Sequence, residues 1–275
     1  MRKGKAMPAS ASRQRQLAPP GERFFEALRA AKSRVLMLDY DGTLAPFVVE
    51  RDEAVPYAGV REAIQQIGAS GSTRVVIVTG RALAEVEELL EAEPMPEVWA
   101  AHGWERRTAA GQYECFPLPP EAQRGLDAAA QAAKDARMGD RLEEKPASVA
   151  VHWRGLSPEQ QHRVKTSAET LWRPIARREG LALEAFDGGL ELRAPGRNKG
   201  TAARAILKDS PKDTFAVYLG DDVTDEDAFA ALPSSGYGIL VRPELHTTRA
   251  SAWLRPPEQL LAFLKRWAIE TGDRR

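Results

Sequence analysis

The sequence predicts an α/β fold with a parallel sheet, interrupted by a small inserted α/β domain. Apolar runs at residues 35–38, 75–78 and 215–219 end abruptly in glycine or polar residues, as strands covered on both faces of a parallel sheet do. Between Thr79 and Lys199 lie about 120 residues, far more than one crossover connection needs. The excess predicts an extra domain inserted into the sheet-forming chain.

The first apolar run delivers two carboxylates to the carboxyl end of its strand, where ligands of such sheets collect. Asp39 and Asp41 follow the run and precede Gly42. Side chains at i and i+2 of an extended segment point the same way, so the two like charges converge unless a proton or a cation separates them. A hard divalent ion suits this position. A solvated Asp-x-Asp-Gly turn is the alternative when the segment is taken alone.

Two further segments bring positive charge to a strand end or a helix start. Thr79 and Arg81 follow the run at 75–78, and Arg81 either binds phosphate or pairs with Glu85 one helical turn later. Lys199 opens an alanine-rich helix, where a lysine opposes the helix dipole unless an anion is present. Both segments therefore suit an anionic substrate.

A dense acidic cluster follows the last of these apolar runs. Five carboxylates within seven residues would repel one another strongly without a cation, and they belong to Asp221, Asp222, Asp225, Glu226 and Asp227. Among them Asp221 is the favoured metal ligand, and Asp222 or Asp225 would be its direct or indirect partner. Asp227 is interpreted as a helix-turn residue.

The order of these segments, Asp-x-Asp, Thr, Lys and Asp-Asp, resembles that of the haloacid dehalogenase superfamily of phosphotransferases. The resemblance implies a Rossmann-like core with a parallel sheet, in which Asp39 is the nucleophile and Asp41 the general acid and base. It makes Asp39, Asp41, Thr79 and Lys199 the catalytic candidates. The candidates for binding Mg²⁺ are Asp39, Asp41, Asp221, Asp222 and Asp225.

The residue types also suit this chemistry on physical grounds. A phosphate monoester resists hydrolysis and its dianion repels a carboxylate, so the site must supply positive charge before attack. Magnesium, Lys199 and the Thr79 hydroxyl would supply that charge. Attack by Asp39 would form an acyl phosphate and divide one hard displacement into two easier ones. Asp41 would first protonate the leaving alkoxide and then activate water, which requires a raised pKa.

The inserted region is predicted to form a small cap domain. Strands are expected at residues 112–116, 147–154, 183–186 and 190–192, and helices at 119–138 and 157–178. Polar residues recur at the edges of these strands and are candidates to bind the hydroxyls of a substrate. A last helix, at residues 258–269, has apolar residues at helical spacing and should close against the core.

The polar residues of the cap resemble those of the trehalose-6-phosphate phosphatase family, and the resemblance runs over residues 33–240. In that family a Glu-Asp-Lys motif and a later glutamate bind the glucose ring that carries no phosphate. The matching residues here are Glu143, Lys145 and Glu191. Glu144 stands where aspartate is usual, and Ala194 separates the preceding basic residue from proline. Glu191 and Lys199 nevertheless keep their spacing of eight.

Recognition of a disaccharide depends on paired donors and acceptors, because the sugar offers many hydroxyls and no charge away from its phosphate. Taken alone, Glu143 and Lys145 would more simply be a surface ion pair. For His102 and His152 a satisfied structural histidine is an equal alternative, and both are excluded from catalysis. The substrate-binding candidates are Arg81, His102, Glu143, Lys145, His152, Arg154, Glu191 and Asn198.

Composition restricts the partners and the compartment. A formal net charge of zero means that the chain has no excess positive charge to attract nucleic acid or an anionic membrane. The single cysteine, Cys115, excludes an internal disulfide framework and favours a reducing, cytoplasmic location. Residues 1–19 hold no apolar stretch long enough for a signal or membrane segment, and are interpreted as a flexible tail in which Met7 is an alternative start.

These observations predict a division of the chain into a core at residues 20–104 and 193–275 and a cap at residues 105–192. Hinges near residues 103–106 and 192–196 would let the cap close over substrate and exclude bulk water.

The resemblance implies magnesium-dependent hydrolysis of trehalose 6-phosphate to trehalose and phosphate, with a functional link to trehalose-6-phosphate synthase. One alternative is a related phosphatase for sucrose 6-phosphate, mannosylglycerate phosphate or a hexose phosphate. Another is a non-catalytic regulatory module that binds sugar phosphate.

Overall fold

A computed structural model describes residues 17–186 and 188–272. The predicted tail lies outside the described residues except for 17–19, and so does Met7. Two sheets and their helices account for the described chain, and the larger sheet carries the acidic motifs at one edge.

The larger sheet has eight strands, most of them parallel. They are β1 (Arg34–Leu38), β2 (Thr73–Val78), β3 (Glu97–Ala100), β4 (Glu105–Arg107), β5 (Tyr113–Cys115), β10 (Phe215–Gly220), β11 (Tyr237–Val241) and β12 (Ala252–Leu254). Their order is β12-β11-β10-β1-β2-β3-β4-β5, and only the β3–β4 and β4–β5 pairs are antiparallel. The chain runs outward in both directions from β1 and β10, so these neighbours form the switch point where such sheets bind ligands.

Helices cover both faces of this sheet. They are α1 (Glu22–Ala30), α2 (Val60–Ala69), α3 (Leu83–Leu90), α6 (Lys199–Lys208), α7 (Glu226–Ala231) and α8 (Glu258–Thr271). Alternate residues of β1 face opposite layers: Leu36 and Leu38 pack with α1, α2, α3 and α8, whereas Val35 and Met37 pack with α6 and α7. Burial on both faces explains why the strand reads as a continuous apolar run.

The smaller sheet lies in the inserted region and has one polar face. Its strands β6 (Leu142–Lys145), β7 (Ser148–His152), β8 (Ala182–Phe186) and β9 (Gly189–Arg193) are antiparallel in the order β6-β7-β9-β8. Helices α4 (Pro120–Asp135) and α5 (Pro158–Glu179) cover one face through Val149, Val151, Leu190 and Leu192. The alternate residues, which include Glu143 and Glu191 in register with Ala150, form the other face.

The predicted α/β architecture is confirmed, including each strand and helix expected in the inserted region and the last helix of the core. The domain boundaries stay a prediction. We propose moving the first boundary beyond Cys115, because β4 and β5 hydrogen bond to the larger sheet although residues 105–115 are assigned to the cap from sequence. Within residues 17–186 and 188–272, no helix combines the length and the apolar character that crossing a bilayer requires.

Candidate active site

Asp39 lies at the carboxyl end of β1 and is 2% exposed. Its backbone N–H donates to the carbonyl of Leu219 on β10, which fixes the residue at the switch point. The Lys199 ammonium donates to Asp39 Oδ1 at 2.6 Å and to Asp225 Oδ1 at 2.8 Å. Burial and the Asp225 charge raise the pKa of Asp39 to about 7, although Lys199 opposes the shift.

Lys199 is positioned by the start of α6. Asn198 caps this helix: its side-chain oxygen accepts from the N–H of Thr201, and the Thr201 hydroxyl accepts from the N–H of Asn198. Burial alone would lower the pKa of Lys199, but the charges of Asp225 and Asp39 raise it. The lysine therefore stays charged beside the carboxylate that sequence analysis assigns as nucleophile.

Three buried aspartates form a group with the chemistry of a divalent-cation site. One carboxylate oxygen from each of Asp39, Asp221 and Asp225 lies within 4.8 Å of the others. Burial, together with the charges of Asp39 and Asp225, raises the pKa of Asp221 well above its ordinary value. In the described part of the chain, no hydrogen bond reaches the Asp221 carboxylate, so a hard cation would satisfy it. The Asp39 and Asp221 carboxylates are therefore suited to bind Mg²⁺ directly.

Asp225 serves a different role, because all four of its hydrogen-bond acceptor positions are used. Its Oδ1 accepts from Lys199 and from the Tyr218 hydroxyl, and its Oδ2 accepts from the N–H groups of Asp221 and Asp222. These bonds make Asp225 a positioning residue for Lys199 and the Asp221 loop. Asp222 caps the following turn through the N–H of Val223. Direct ligation by Asp222 and Asp225 stays a prediction from sequence.

Asp41 is held apart from this group by Arg81. The guanidinium donates from Nε to Asp41 Oδ2 at 2.8 Å and from Nη2 to Oδ1 at 2.6 Å. Arg81 also donates from Nη1 to the Arg51 carbonyl at 2.9 Å and, at 3.4 Å, to Glu85. Glu85, the partner that the sequence offers for Arg81, is therefore the weaker contact, and Asp41 takes the planar two-bond geometry that suits a carboxylate.

The turn after β2 brings Thr79 and His102 together. The Thr79 hydroxyl accepts from the N–H of Arg81, and the Thr79 carbonyl accepts from the N–H of His102. A Cβ on Gly80 would lie 2.6 Å from His102 Nε2, so this close approach requires glycine. His102 Nε2 lies 3.6 Å from Glu191 Oε2 on the cap, and burial lowers the pKa of His102.

The polar face of the smaller sheet concentrates charged groups opposite the core. Glu191 accepts from the Lys145 ammonium at 3.1 Å and from the Ser148 hydroxyl at 2.7 Å. Glu143 accepts from His152 at 2.8 Å and lies 3.4 Å from Lys145. Burial alone would raise the pKa of Glu143 and Glu191, but hydrogen bonds and the Lys145 charge lower both. Both carboxylates are therefore strong acceptors.

One cleft of about 710 Å³ joins the two groups of residues. Every site residue predicted from sequence lines it except Asp225, which lies fully buried beneath Lys199. The predicted residues in the lining are Asp39, Asp41, Thr79, Arg81, His102, Glu143, Lys145, His152, Arg154, Glu191, Asn198, Lys199, Asp221 and Asp222. Asn198 has both ends of its side chain engaged, by Thr201 and by Asp227. The individual roles of these residues stay predictions.

Three residues of the site are not predicted from the sequence. Arg51 contacts Glu143 and Glu85, and no local pattern marks it because its partners lie on distant elements. Tyr218 has a detectable signal, since a buried hydroxyl in an apolar strand needs a partner. Ser148 is also detectable, because strand alternation places it on the same face of β7 as His152. Glu85 is predicted from the sequence as a partner for Arg81, but its contact with Arg51 is not.

The fold and the site first define the class of protein. A haloacid dehalogenase-like hydrolase from B. subtilis shares the fold, with a TM-score of 0.59 and 15% identity over 84% of this chain and 99% of its own. The C-terminal domain of C. albicans trehalose-6-phosphate phosphatase also shares it, with a TM-score of 0.76 and 20% identity over 92% of this chain and 99% of that domain. The protein therefore has a haloacid dehalogenase-like α/β fold with an inserted domain.

Sequence comparison then identifies the family. The pattern of the Trehalose-phosphatase family matches residues 37–255. The trehalose-phosphate phosphatase of Mycobacterium marinum is 33% identical over 249 residues, covering 86% of this chain and 61% of that protein. The chain belongs to the trehalose-phosphatase family and spans 61% of the length of this relative.

Proposed function

We propose that the protein hydrolyses trehalose 6-phosphate to trehalose and inorganic phosphate through an aspartyl-phosphate on Asp39. One observation carries the proposal: a single cleft has buried carboxylates and Lys199 at its core end and the Glu143, Lys145 and Glu191 cluster at its cap end. A phosphate ester of a neutral disaccharide needs both ends at once. Family membership supports the same substrate class.

The core end suits attack on phosphorus. Asp39 Oδ forms the new bond to phosphorus as the bond from phosphorus to the sugar oxygen breaks, and the Lys199 ammonium offsets the charge that the dianion brings beside the carboxylate. Thr79 lies at the adjacent strand end, where its hydroxyl can donate to a phosphoryl oxygen. Magnesium held by Asp39 and Asp221 would supply further positive charge to the phosphoryl group.

Asp41 completes the proton balance of both steps. It gives a proton to the leaving sugar oxygen and then takes one from the water that attacks phosphorus, which releases phosphate and restores Asp39. Both Asp41 oxygens accept from Arg81, and each retains a second acceptor position that could carry this proton.

The cap end suits the unphosphorylated ring of the substrate. Glu143 Oε1 is buried, lies 3.4 Å from the Lys145 ammonium and accepts no hydrogen bond within the described residues, so a sugar hydroxyl that reached it would find an unused acceptor position. Glu191 and Lys145 are held in place by Ser148 and by each other. A sugar without matching hydroxyls would leave these buried groups unpaired, which is a strong basis for discrimination.

The test is phosphate release from trehalose 6-phosphate, measured with magnesium and with a chelator. We expect metal-dependent release that Asp39→Asn abolishes, whereas Asp140→Asn, an exposed aspartate of the cap, leaves it unchanged. Release from sucrose 6-phosphate, mannosylglycerate phosphate or a hexose phosphate, but not from the trehalose ester, would retain the core assignment and reject the cap assignment. Binding without release from any ester would reject catalysis and support a regulatory module.

We also propose a functional link to trehalose-6-phosphate synthase. The substrate must be supplied by a reaction that joins two glucose units while one of them retains its phosphate, and that reaction is the one a synthase performs. Comparing product formation from a mixture of both enzymes with that from the synthase alone tests the link. The cytoplasmic location stays a prediction.

A further inference from the structure

Arg51 belongs to the core but contacts the cap. It lies in the short 3₁₀ turn Arg51–Glu53 that follows the Asp39–Asp41 loop. Its Nη1 lies 2.5 Å from Glu143 Oε2 on β6 and 3.4 Å from His152 Nε2 on β7. Its Nη2 donates to Glu85 on α3 at 3.0 Å. One guanidinium therefore joins the predicted sugar-binding face of the cap to a core helix.

The contact is stronger than an ordinary surface ion pair. The side chain of Arg51 is 27% exposed and that of Glu143 is 12% exposed, so solvent screens their attraction less than at a free surface. Short hydrogen bonds between ionised groups also fix geometry. Glu143 Oε2 is thus shared between His152 of the cap and Arg51 of the core, while the buried Oε1 lies 3.4 Å from the Lys145 ammonium and accepts no hydrogen bond within the described residues.

Neighbouring residues of the same core loop also contact the cap. The Val48 carbonyl accepts from Arg154 Nη1 at 2.8 Å, and the Arg154 guanidinium lies 5.8 Å from the centre of the Phe47 ring. Phe47, Val48 and Arg51 all line the cleft. The loop that follows β1 and Asp39 therefore also provides the contacts between core and cap.

We propose that Arg51 is a positioning residue for disaccharide recognition: it orients Glu143 toward the sugar and holds the cap on the core. The proposal rests on the proposed function for its substrate. A sugar ring bound to Glu143 would also be connected to the core through Arg51. Binding of the unphosphorylated, or distal, ring and closure of the cap would therefore occur together. An ester without the distal ring gains nothing from Arg51.

The test compares two substrates in four proteins: wild type, Arg51→Ala, Arg51→Lys and the matched control Arg61→Ala. Arg61 is 32% exposed and pairs with Glu91, which is 68% exposed, on the surface of the same domain as Arg51. For Arg51→Ala we expect kcat/KM on trehalose 6-phosphate to fall about 10- to 100-fold, the range for losing a hydrogen bond to a charged group. Turnover of p-nitrophenyl phosphate should change less than about twofold. Arg51→Lys should recover part of the loss, and Arg61→Ala should match wild type.

Equal losses on both substrates, or no loss on the disaccharide ester, would overturn the proposal. A second measurement separates its failure from failure of the proposed function. Small-angle scattering without substrate should give a larger radius of gyration for Arg51→Ala than for wild type and Arg61→Ala, whichever ester the enzyme prefers. Identical radii would show that Arg51 does not hold the cap. A wild-type enzyme inactive on trehalose 6-phosphate would reject the function alone.

Discussion

Asp39 and Asp41 lie two residues apart, yet the chain gives them different surroundings. Asp39 is buried beside Lys199, whereas Asp41 is paired with Arg81. The division suits a reaction in which one carboxylate attacks and the other moves protons, because each role needs its own environment. Gly42, the next residue, makes this separation sterically possible.

Gly42 should tolerate no side chain. Its φ is +78°, and a Cβ there would lie 2.3 Å from Asp221 Oδ2. We expect Gly42→Ala to lower kcat by at least about 100-fold, because displacements near 1 Å at a catalytic site have this effect. Steady-state kinetics and thermal unfolding of the variant provide the measurement.

Gly71→Ala is the matched control for that substitution. Gly71 has a φ of +66°, but a Cβ added there would meet no atom within 4 Å. Gly71→Ala should lose about 1 kcal/mol of unfolding free energy through backbone strain. Gly42→Ala should lose more, because steric overlap adds to the strain, and only Gly42→Ala should lose activity. Equal activities would mean that the Asp221 loop accommodates the extra atom.

The two ends of the cleft should respond oppositely to acid. The pKa of Glu191 in the folded protein is lowered well below 4.5. Its ion pairs therefore stabilise the cap fully above pH 4.5, and this stabilisation is lost as the pH falls through the lowered pKa. The pKa of Asp39 is raised from 3.8 to about 7, so the folded core binds a proton that the unfolded chain releases between these values. Acidification through that window therefore stabilises the core.

Metal-free protein acidified below about pH 4.5 should accordingly lose protection in the cap before the core. Hydrogen exchange, corrected for its intrinsic pH dependence, would compare β6–β9 with β1, β2 and β10. Glu191→Gln should reduce the pH sensitivity of the cap strands. Loss of protection in the core strands first would contradict the assignment of the two opposing shifts.

At the scale of elements, two helix starts offer a matched comparison. Asn198 caps α6 and Ser157 caps α5, and each forms a reciprocal pair of hydrogen bonds with the residue three positions later. Replacing either by alanine should cost about 1 kcal/mol of unfolding free energy. Only Asn198→Ala should also lower kcat, because α6 begins with Lys199.

Denaturant unfolding and steady-state kinetics of both variants test this expectation. Equal kcat values would show that Lys199 is held by Asp39 and Asp225 alone. A drop in kcat for Ser157→Ala would instead indicate that stability of the cap, rather than the position of Lys199, controls turnover.

The strand ends are the part of the site that sequence reasoning predicts well. A parallel strand buried on both faces can be recognised in the sequence as an apolar run, and ligands bind at its carboxyl end. Asp39, Thr79 and Asp221 are all found in this way. The same reasoning recovers the polar face of the cap, because strand alternation is local.

Side-chain partners across elements are not predictable in this way. The pair of Asp41 with Arg81 and the pair of Arg51 with Glu143 join residues distant in sequence, and any of several arginines could have filled either role. The occupation of Asp225 by four donors depends on the folded loop. Such choices depend on tertiary packing, which no local pattern records.

At the scale of the whole molecule, the connections between core and cap are tied together by Arg197. Its guanidinium lies 3.5 Å from the centre of the Phe116 ring and 5.5 Å from that of Trp104, and it donates to the Gly103 carbonyl at 3.1 Å. Arg197 precedes α6, whereas Phe116 follows β5. Arg197 therefore joins the segment that returns from the cap to the segment that enters it.

Arg197→Ala should loosen both connections while leaving the sheets intact. Losing about 1–2 kcal/mol of cation–π and hydrogen-bond energy should speed hydrogen exchange at the hydrogen-bonded N–H groups of Phe116, Ala194 and Asn198 by roughly 5- to 30-fold. Arg255→Ala is the control, since Arg255 lies 4.1 Å from the Trp253 ring beside an edge strand of the core. Faster exchange throughout β1 and β10 would indicate that Arg197 supports the core fold, and unchanged exchange at both connections would mean that the cap is held by the cleft contacts alone.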